Sequence, residues 1–580
     1  MKAFTPSLLA LALAFSSMES MAAADLVLLN GKIYTADPAN PSARAMAVKD
    51  GKVLKVGGND EIKSLADGST RVIDLTDKRL MPGLIDTHSH AVFGGLEMST
   101  ANMGDEVVEL AELEKRLRGW RDDGTALHGD VINLSGMSSA YWSKAEELGR
   151  LFNQGEWAKQ PVVLAGSDHH TGWANNAMLE RAGIDARLIA SLPEAERGTL
   201  GARPDGQPNG FAVDAGWDRI AAALPPVSPQ ILLKAAEAAV KYNNSLGITA
   251  WMDPAANAAP GEAVFAMTPT ENSVGILPVY KALADKGELS AHVAALLVAN
   301  SKSRPADLDT LDKVRQRFTG IPNLTLPGIK VFADGVLEYP AQSAALIDPY
   351  NNSQKRGELL IDPAHFGELV SAADARGWRV HIHAIGDRAV RESLNGIEQA
   401  RRDRQSGITH SITHLQLVNP KEFARFKPLD VIASMQLLWA SGDDYTLDLV
   451  KPYVSAFAFR YQYPAHSLLA QGATIAGASD WPVSSPNPWM AMSQAITRDG
   501  PKGVLNADER IDRATMLQAY TVNAARTIGL ENRIGSLTPG KQADFIVLDR
   551  DVLEVADKDL ADTRVLQTWF GGREVYQAND

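Results

Sequence analysis

Eight short apolar runs separated by helix-patterned stretches constrain the fold of this chain more than any other feature. They are Leu84–His90, Ile248–Met252, His292–Val298, Ile329–Phe332, Arg379–His383, His410–His414, Val431–Gln436 and Thr474–Ser479. Runs of this length bounded by turn residues read as buried strands. The clearest helical stretches are Pro229–Leu246, Pro363–Arg376 and Arg388–Arg402. Strands that alternate with helices read as βα units, and eight such units are what a closed barrel needs. The expected fold class is therefore α/β, a TIM-like (β/α)8 barrel.

Around it, both ends of the chain read as short strands. Asn30-Gly31 and Asp50-Gly51 each stand between β-rich pieces, a hairpin signal. Similar pieces recur at Gly540–Asp549 and Gly571–Tyr576. Neither end makes a core alone, so residues 25–81 and 528–580 are expected to join in one small β-sandwich beside a barrel spanning 82–527. The stretch 91–247 is too long for one βα loop. It is expected as an insertion after the first barrel strand, above the mouth.

Barrel enzymes place their chemistry at the C-terminal ends of the strands, and polar residues stand there in this chain. The first run ends in Asp86-Thr-His88-Ser-His90, the fourth carries Lys330, the fifth ends in His383, the sixth in His414, and Asp480 follows the eighth. Side chains alternate along a strand, so His88 and His90 share a face with Asp86 one step deeper. Two neighbouring imidazoles can grip a divalent cation, with Asp86 orienting a ligand from behind. Alone, the pair reads more simply as two surface loop histidines; the rest of the set turns the reading. A lysine in an apolar strand is costly unless paired or neutralised, and carbamylation would make Lys330 an anionic ligand able to bridge two cations. Four histidines, a lysine and an aspartate suit a two-metal site, or one metal beside an acid/base pair. With no cysteine in the chain, thiolate ligands are excluded.

Taken together, Pro82-Gly-Leu-Ile-Asp-Thr-His-Ser-His90, Lys330-Val-Phe-Ala-Asp-Gly335, His383-Ala-Ile-Gly-Asp-Arg-Ala-Val390, Thr413-His-Leu-Gln416, Ser479-Asp-Trp-Pro-Val483 and the tail Gly535–Asp544 resemble the amidohydrolase superfamily. The forms at 383–387 and 479–482 are similar to the branch that contains N-substituted formamide deformylases. The resemblance implies that His88, His90 and Asp480 bind one metal, and that a carbamylated Lys330 bridges to a second held by His383 and His414. Asp480 would also take a proton from the attacking water. Asp168-His169-His170 resembles the branch's Asp-Gly-His element, which puts His170 against the substrate, where it would steady an oxyanion; the alternative is a hydrogen-bonded loop histidine. Asp387, just before a helix, is first an N-cap, with contact to a ligand histidine as the lesser option. His381 shares a face with His383 but lies deeper and reads as structural, and Asp334 as a loop-fixing residue. Trp173, Trp251, Trp439 and Trp481 stand near strand ends or in the insertion, where they could line a pocket or pack a core. The chain departs from the branch after Gly335: Gln342 stands where an arginine is usual, and Glu338-Tyr339-Pro340 is unusual; Gln342 is expected at the substrate pocket with Trp173 and Trp481.

The function implied is a metal-dependent hydrolase that cleaves a C–N bond of an amide, an N-formyl or N-acyl amine, or a cyclic amide. Its cofactor would be one or two divalent metal ions per chain, with zinc expected. Ester or lactone hydrolysis at the same site, and a binding or regulatory protein without turnover, are the rivals. A net charge of −13 without a long basic run argues against nucleic acid; the resemblance implies a small-molecule substrate as partner, and a homodimer is compatible with this reading. Residues 1–24 carry Lys2, an apolar Leu8–Phe15 core and Ala22-Ala23-Ala24, the pattern of a secretory signal. That implies a periplasmic mature chain, and no later apolar run is long enough for a membrane helix.

Overall fold

The structure, a computed structural model, describes residues 23–579 except 263, 266 and 405; most of the expected leader, residues 1–22, lies outside the described residues. Eight parallel strands form one sheet: β1 (Leu84–Asp86), β2 (Ile248–Asp253), β3 (His292–Val298), β4 (Leu324–Phe332), β5 (Arg379–Ala384), β6 (His410–His414), β7 (Val431–Met435) and β8 (Thr474–Gly477). They lie in sequence order, and the two ends of the sheet meet. The Thr87 amide and hydroxyl donate to Gly477 O at 3.0 and 2.9 Å, and Asp480 N donates to His88 O at 2.7 Å. The sheet is thus a nearly closed TIM-like barrel. Its strands are buried on both faces, which is why they read as continuous apolar runs rather than alternating ones.

Two helices show how the outer layer is specified. Helix α1 (Ala91–Glu97) follows β1, and α2 (Pro229–Ser245) precedes β2. Ser228 caps α2 by accepting from Ile231 N, and Pro229 takes the first turn, where no amide is missed. Leu232, Ala235, Ala236, Ala239 and Val240 form its buried stripe. The helices touch so closely that a Cβ on Gly95 would lie 2.0 Å from Ala235 O. The stretch 91–247 therefore begins and ends in helices of the barrel shell. Between them, strands from Leu127 to Val213 build a separate six-stranded sheet with its own apolar clusters.

The chain ends form two further sheets. One holds Leu26–Leu29, Ala45–Lys49, Lys52–Gly57 and Arg71–Asp74; the other holds Lys32–Tyr34, Ser42–Ala43 and Arg79–Pro82 beside Phe545–Leu548, Val565–Phe570 and Arg573–Gln577. Leu28, Met46, Val53, Leu80, Phe545 and Trp569 share one buried cluster. Asp50-Gly51 makes its hairpin, with φ of 50° and 71°. Asn30-Gly31 does not: Leu26–Leu29 and Lys32–Tyr34 lie in different sheets. Only Asn30 is left-handed, at φ 56°, whereas the tight hairpin turn needs positive φ at both central residues.

Arg79 ties the N-terminal strands to the C-terminal segment. Its guanidinium donates to both oxygens of Asp551 at 2.6 Å, and the two side chains are only 8% and 13% exposed. Burial pushes the Asp551 carboxyl up, but hydrogen bonds from Arg79 and Lys32 override this and hold it below its ordinary value. Asp551→Asn strands a buried guanidinium and should cost about 3 kcal/mol in urea unfolding at neutral pH. Because the folded carboxyl is the stronger acid, its stabilisation is present above the ordinary carboxylate pKa and is lost as pH falls through the folded value. The gap between wild type and variant should therefore narrow in acid.

Candidate active site

The site is built where β1 and β8 come together. Asp86, fully buried, accepts from His88 N and Ser479 N at 3.0 Å and from Ser479 Oγ at 2.5 Å. One carboxylate thus fixes the loop that carries His88 and His90 against the loop that carries Asp480. Burial pushes it up to about 7. Among the described residues Asp86 holds two backbone amides and the Ser479 hydroxyl rather than an imidazole. The His88 ring is oriented instead by His381: His88 Nδ1 and His381 Nε2 are 2.7 Å apart, and His381 Nδ1 lies 2.7 Å from Ser411 Oγ. Reading along β5 placed His381 deeper than His383, which holds, but could not show that His88 reaches it across the barrel.

His88 Nε2 and His90 Nε2 lie 3.2 and 3.4 Å from Asp480 Oδ1, and His414 Nδ1 lies 3.8 Å from Asp480 Oδ2. Ligand atoms of His88, His414 and Asp480 all fall within 4.8 Å of one another. His414 Nδ1 and Asp480 Oδ1 are buried and have no hydrogen-bond partner. Buried polar atoms are normally paired, so these two atoms, left without a hydrogen bond among the described residues beside His88 and His90, suit a cation. The protonation balance suits one too. Burial, joined by the charges around them, holds His381, His383 and His414 well below the ordinary imidazole value and lowers His88 to about 3. Neutral imidazole is the form that binds metal. For Asp480 burial works upward, but its histidine contacts win and hold it well below the ordinary carboxylate range.

The remaining candidates fall around this centre. His383 stands 4.5 Å from the His414 ring, with Nε2 3.0 Å from Gly335 O and 3.6 Å from Asp334 Oδ1. Asp334 accepts from the amides of Ala345, Ile385 and Gly386 and so fixes the loops after β4 and β5. Lys330 is buried without an ion pair among the described residues, and burial lowers its amine to about 7. His170 comes from the insertion sheet. Its Nδ1 lies 2.8 Å from Asp214 Oδ1, and its ring is 5.2 Å from that of His383. Although burial works downward, Asp214 raises the His170 pKa above the ordinary value.

Four expectations are corrected. Asp387 is not the N-cap of its helix, Asp387–Asp403; Gly386 is, and Asp387 accepts from Ile347 N at 2.9 Å rather than touching a histidine. Trp173 does not line the site: it is fully buried in the insertion core, 6.0 Å from Phe152, with Nε1 donating to Asn209 O. Gln342 turns away and exchanges hydrogen bonds with Asn352. Trp481 packs on Gly94 and Tyr242 and lines a separate cavity of about 370 Å³. The tryptophan at the centre is Trp439, stacked 5.7 Å from the His414 ring. It follows β7, and its position near a strand end was the available signal. With His170, His383, His414 and Asp480, Trp439 borders a cleft of about 210 Å³.

A family model described as "Amidohydrolase family" matches residues 71–576. The chain is 30% identical to Protein LONG AFTER FAR-RED 3 of Arabidopsis thaliana over 568 residues, covering 95% of this chain and 92% of that one. It is 25% identical to an N-substituted formamide deformylase of Arthrobacter pascens, covering 94% and 97%. A solved metal-dependent hydrolase from Pyrococcus horikoshii OT3 shares its fold, with a TM-score of 0.69 at 24% identity, covering 92% of this chain and 99% of that one.

Two measurements follow. His414→Ala and Asp480→Asn should each weaken retention of a divalent ion, read by elemental analysis after dialysis, with near-wild-type melting of the metal-free proteins. Trp173→Ala should cost about 4 kcal/mol through cavity formation, read by urea unfolding, while leaving metal content unchanged.

Proposed function

The chain belongs to the amidohydrolase family and is a metal-dependent hydrolase acting on C–N bonds; from that premise we propose that it cleaves an amide, an N-formyl or N-acyl amine, or a cyclic amide in the cleft above His88 and Asp480. The observation that carries this reading is the pair of bare buried acceptors, His414 Nδ1 and Asp480 Oδ1, beside His88 Nε2. His88, His414 and Asp480 would hold one divalent cation, with His90 beside them. A second would rest on His383 and on Lys330, whose neutral amine can take up carbon dioxide, lose a proton and become a carbamate. When bound, a divalent cation supplies a Lewis acid for the scissile carbonyl and lowers the pKa of water to about 7.

The chain's own residues do the rest. Asp480, ionised and with one oxygen unpaired, accepts the proton of the attacking water and returns it to the leaving nitrogen. His170, steered by Asp214 through Nδ1, presents its other nitrogen to the cleft and stabilises charge on the carbonyl oxygen. Trp439 covers the His414 ring and limits access of bulk water.

Asp480→Asn should lower kcat by at least about a thousandfold on any C–N substrate, as expected for loss of a general base, with folding retained by circular dichroism. Metal content measured on the same sample separates loss of the base from loss of the cation. Matched amide and ester substrates with one acyl group should favour the amide. Equal or better ester turnover would replace this reading with an esterase, and unchanged ligand binding with no turnover by the wild type would replace it with a binding protein.

A further inference from the structure

The cleft is charged on one side in a way the hydrolytic step does not use. Away from the histidines it is bordered by Asp105, Asp168, Glu338 and Asp443, and among the described residues no lysine or arginine lines it. None of the four forms an ion pair among the described residues; they are held by neutral donors instead. Asp105 accepts from Tyr445 Oη at 2.5 Å and from Ser167 Oγ at 2.8 Å. Asp168 accepts from Ser139 Oγ, Thr171 Oγ1 and the amides of His170 and Thr171. Glu338 accepts from Gln416 Nε2 at 2.9 Å. Asp443 accepts from Thr446 N at 3.0 Å. The neighbouring Lys502 turns its amine to Asp444 and Asp448. His414 and Asp480, whose buried Nδ1 and Oδ1 have no hydrogen-bond partner among the described residues, line the same cleft.

Uncompensated carboxylates in a partly dehydrated cleft repel one another. Burial, followed by smaller contributions from neighbouring carboxylates, pushes Asp105, Glu338 and Asp443 above their ordinary values. A cation placed among them removes that cost. A metal ion is a poor fit, because the grouping of close ligand atoms is His88, His414 and Asp480 and includes none of the four. An organic cation spreads its charge over a larger volume, and the aromatic rings of Trp439 and Tyr463 on the same cleft suit it further.

We propose that this cleft selects substrates carrying an organic cation, an ammonium or guanidinium group, received by Glu338, Asp105, Asp168 and Asp443 beside Trp439 and Tyr463 while the scissile C–N bond faces His88 and Asp480. The inference rests on the hydrolytic reading above and names its substrate class. Glu338, in the segment where the sequence departs from the related branch, is the central specificity residue.

The test uses two readouts on the purified, metal-loaded protein. Calorimetric binding compares pentylammonium with pentanol; turnover compares N-acetylcadaverine with its neutral isostere N-acetylaminopentanol. Wild type should bind pentylammonium at least about tenfold more tightly than pentanol, a gap that shrinks with added salt. Glu338→Gln keeps the acceptor for Gln416 and should close most of the gap. Asp443→Asn, at a loop position, should narrow it independently if the first variant folds poorly. Equal binding of the two probes by wild type, or a gap that survives both variants, overturns the proposal. A wild-type gap that these variants close, with neither acetamide hydrolysed, upholds cation selection and instead removes N-acetyl amines from the proposed substrates.

Discussion

One buried carboxylate holds the barrel and its site together. Asp86 ends β1 and accepts from both its own loop and the loop after β8, 393 residues away. Its three hydrogen bonds set His88 and His90 against Asp480, while Thr87 donates its amide and hydroxyl to Gly477 O. The strand before β1 fixes the same corner from below. Pro82 pairs with Phe545, and only Gly83 separates that strand from β1. A Cβ on Gly83 would lie 2.2 Å from Thr249 Oγ1, so the close approach of the terminal sheets to the barrel needs a glycine there. Anchoring the chain ends and positioning the first ligand pair are thus one piece of structure.

The site itself stores cost. His414 and Asp480 have φ of 76° and 60°, left-handed for residues with side chains, and each such position costs about 1–3 kcal/mol unless its surroundings over-determine it. Here they do: β6 is buried at every position, and Asp480 N is held by His88 O. The twist turns both side chains inward, where one atom of each is left without a hydrogen bond. Neutral imidazoles around an ionised carboxylate are poorly satisfied by one another. A cation between them supplies what the protein alone lacks, which is why geometry and protonation point to the same occupant.

The barrel was legible because its strands are buried on both faces, so each of the eight runs stood out from the helices around it. His88, His414 and Asp480, whose ligand atoms the structure groups, stood out because barrel topology sends strand ends to one rim. What escaped the sequence depends on contacts across space. His381 reads as core along β5, yet its partner His88 lies on β1. Trp173 and Trp439 look alike in sequence; pairing of the insertion sheet buries the first, while the turn after β7 leaves the second over His414. Asn30-Gly31 has hairpin composition, but Gly31 donates to Arg44 O and the chain crosses between sheets. Local chemistry could not decide among partners that arrive from elsewhere in the chain.

Chemistry and selectivity occupy different parts of this molecule. The proposed ligands sit at or just beyond strand ends, where β4, β5 and β6 pair directly: Lys330 stands opposite His381, and His414 opposite Ala384, the neighbour of His383. The carboxylates of the opposite wall sit on loops: Asp105 and Asp168 on the insertion, Glu338 after β4 and Asp443 after β7. Tyr445 joins the two sides by donating from the barrel loop to Asp105 on the insertion. Loops tolerate substitution far better than paired strands, so the proposed cationic preference can change while the proposed ligands stay fixed. The departure at Glu338-Tyr339-Pro340 falls on this loop-built side, which is where a change of substrate without a change of reaction would be written.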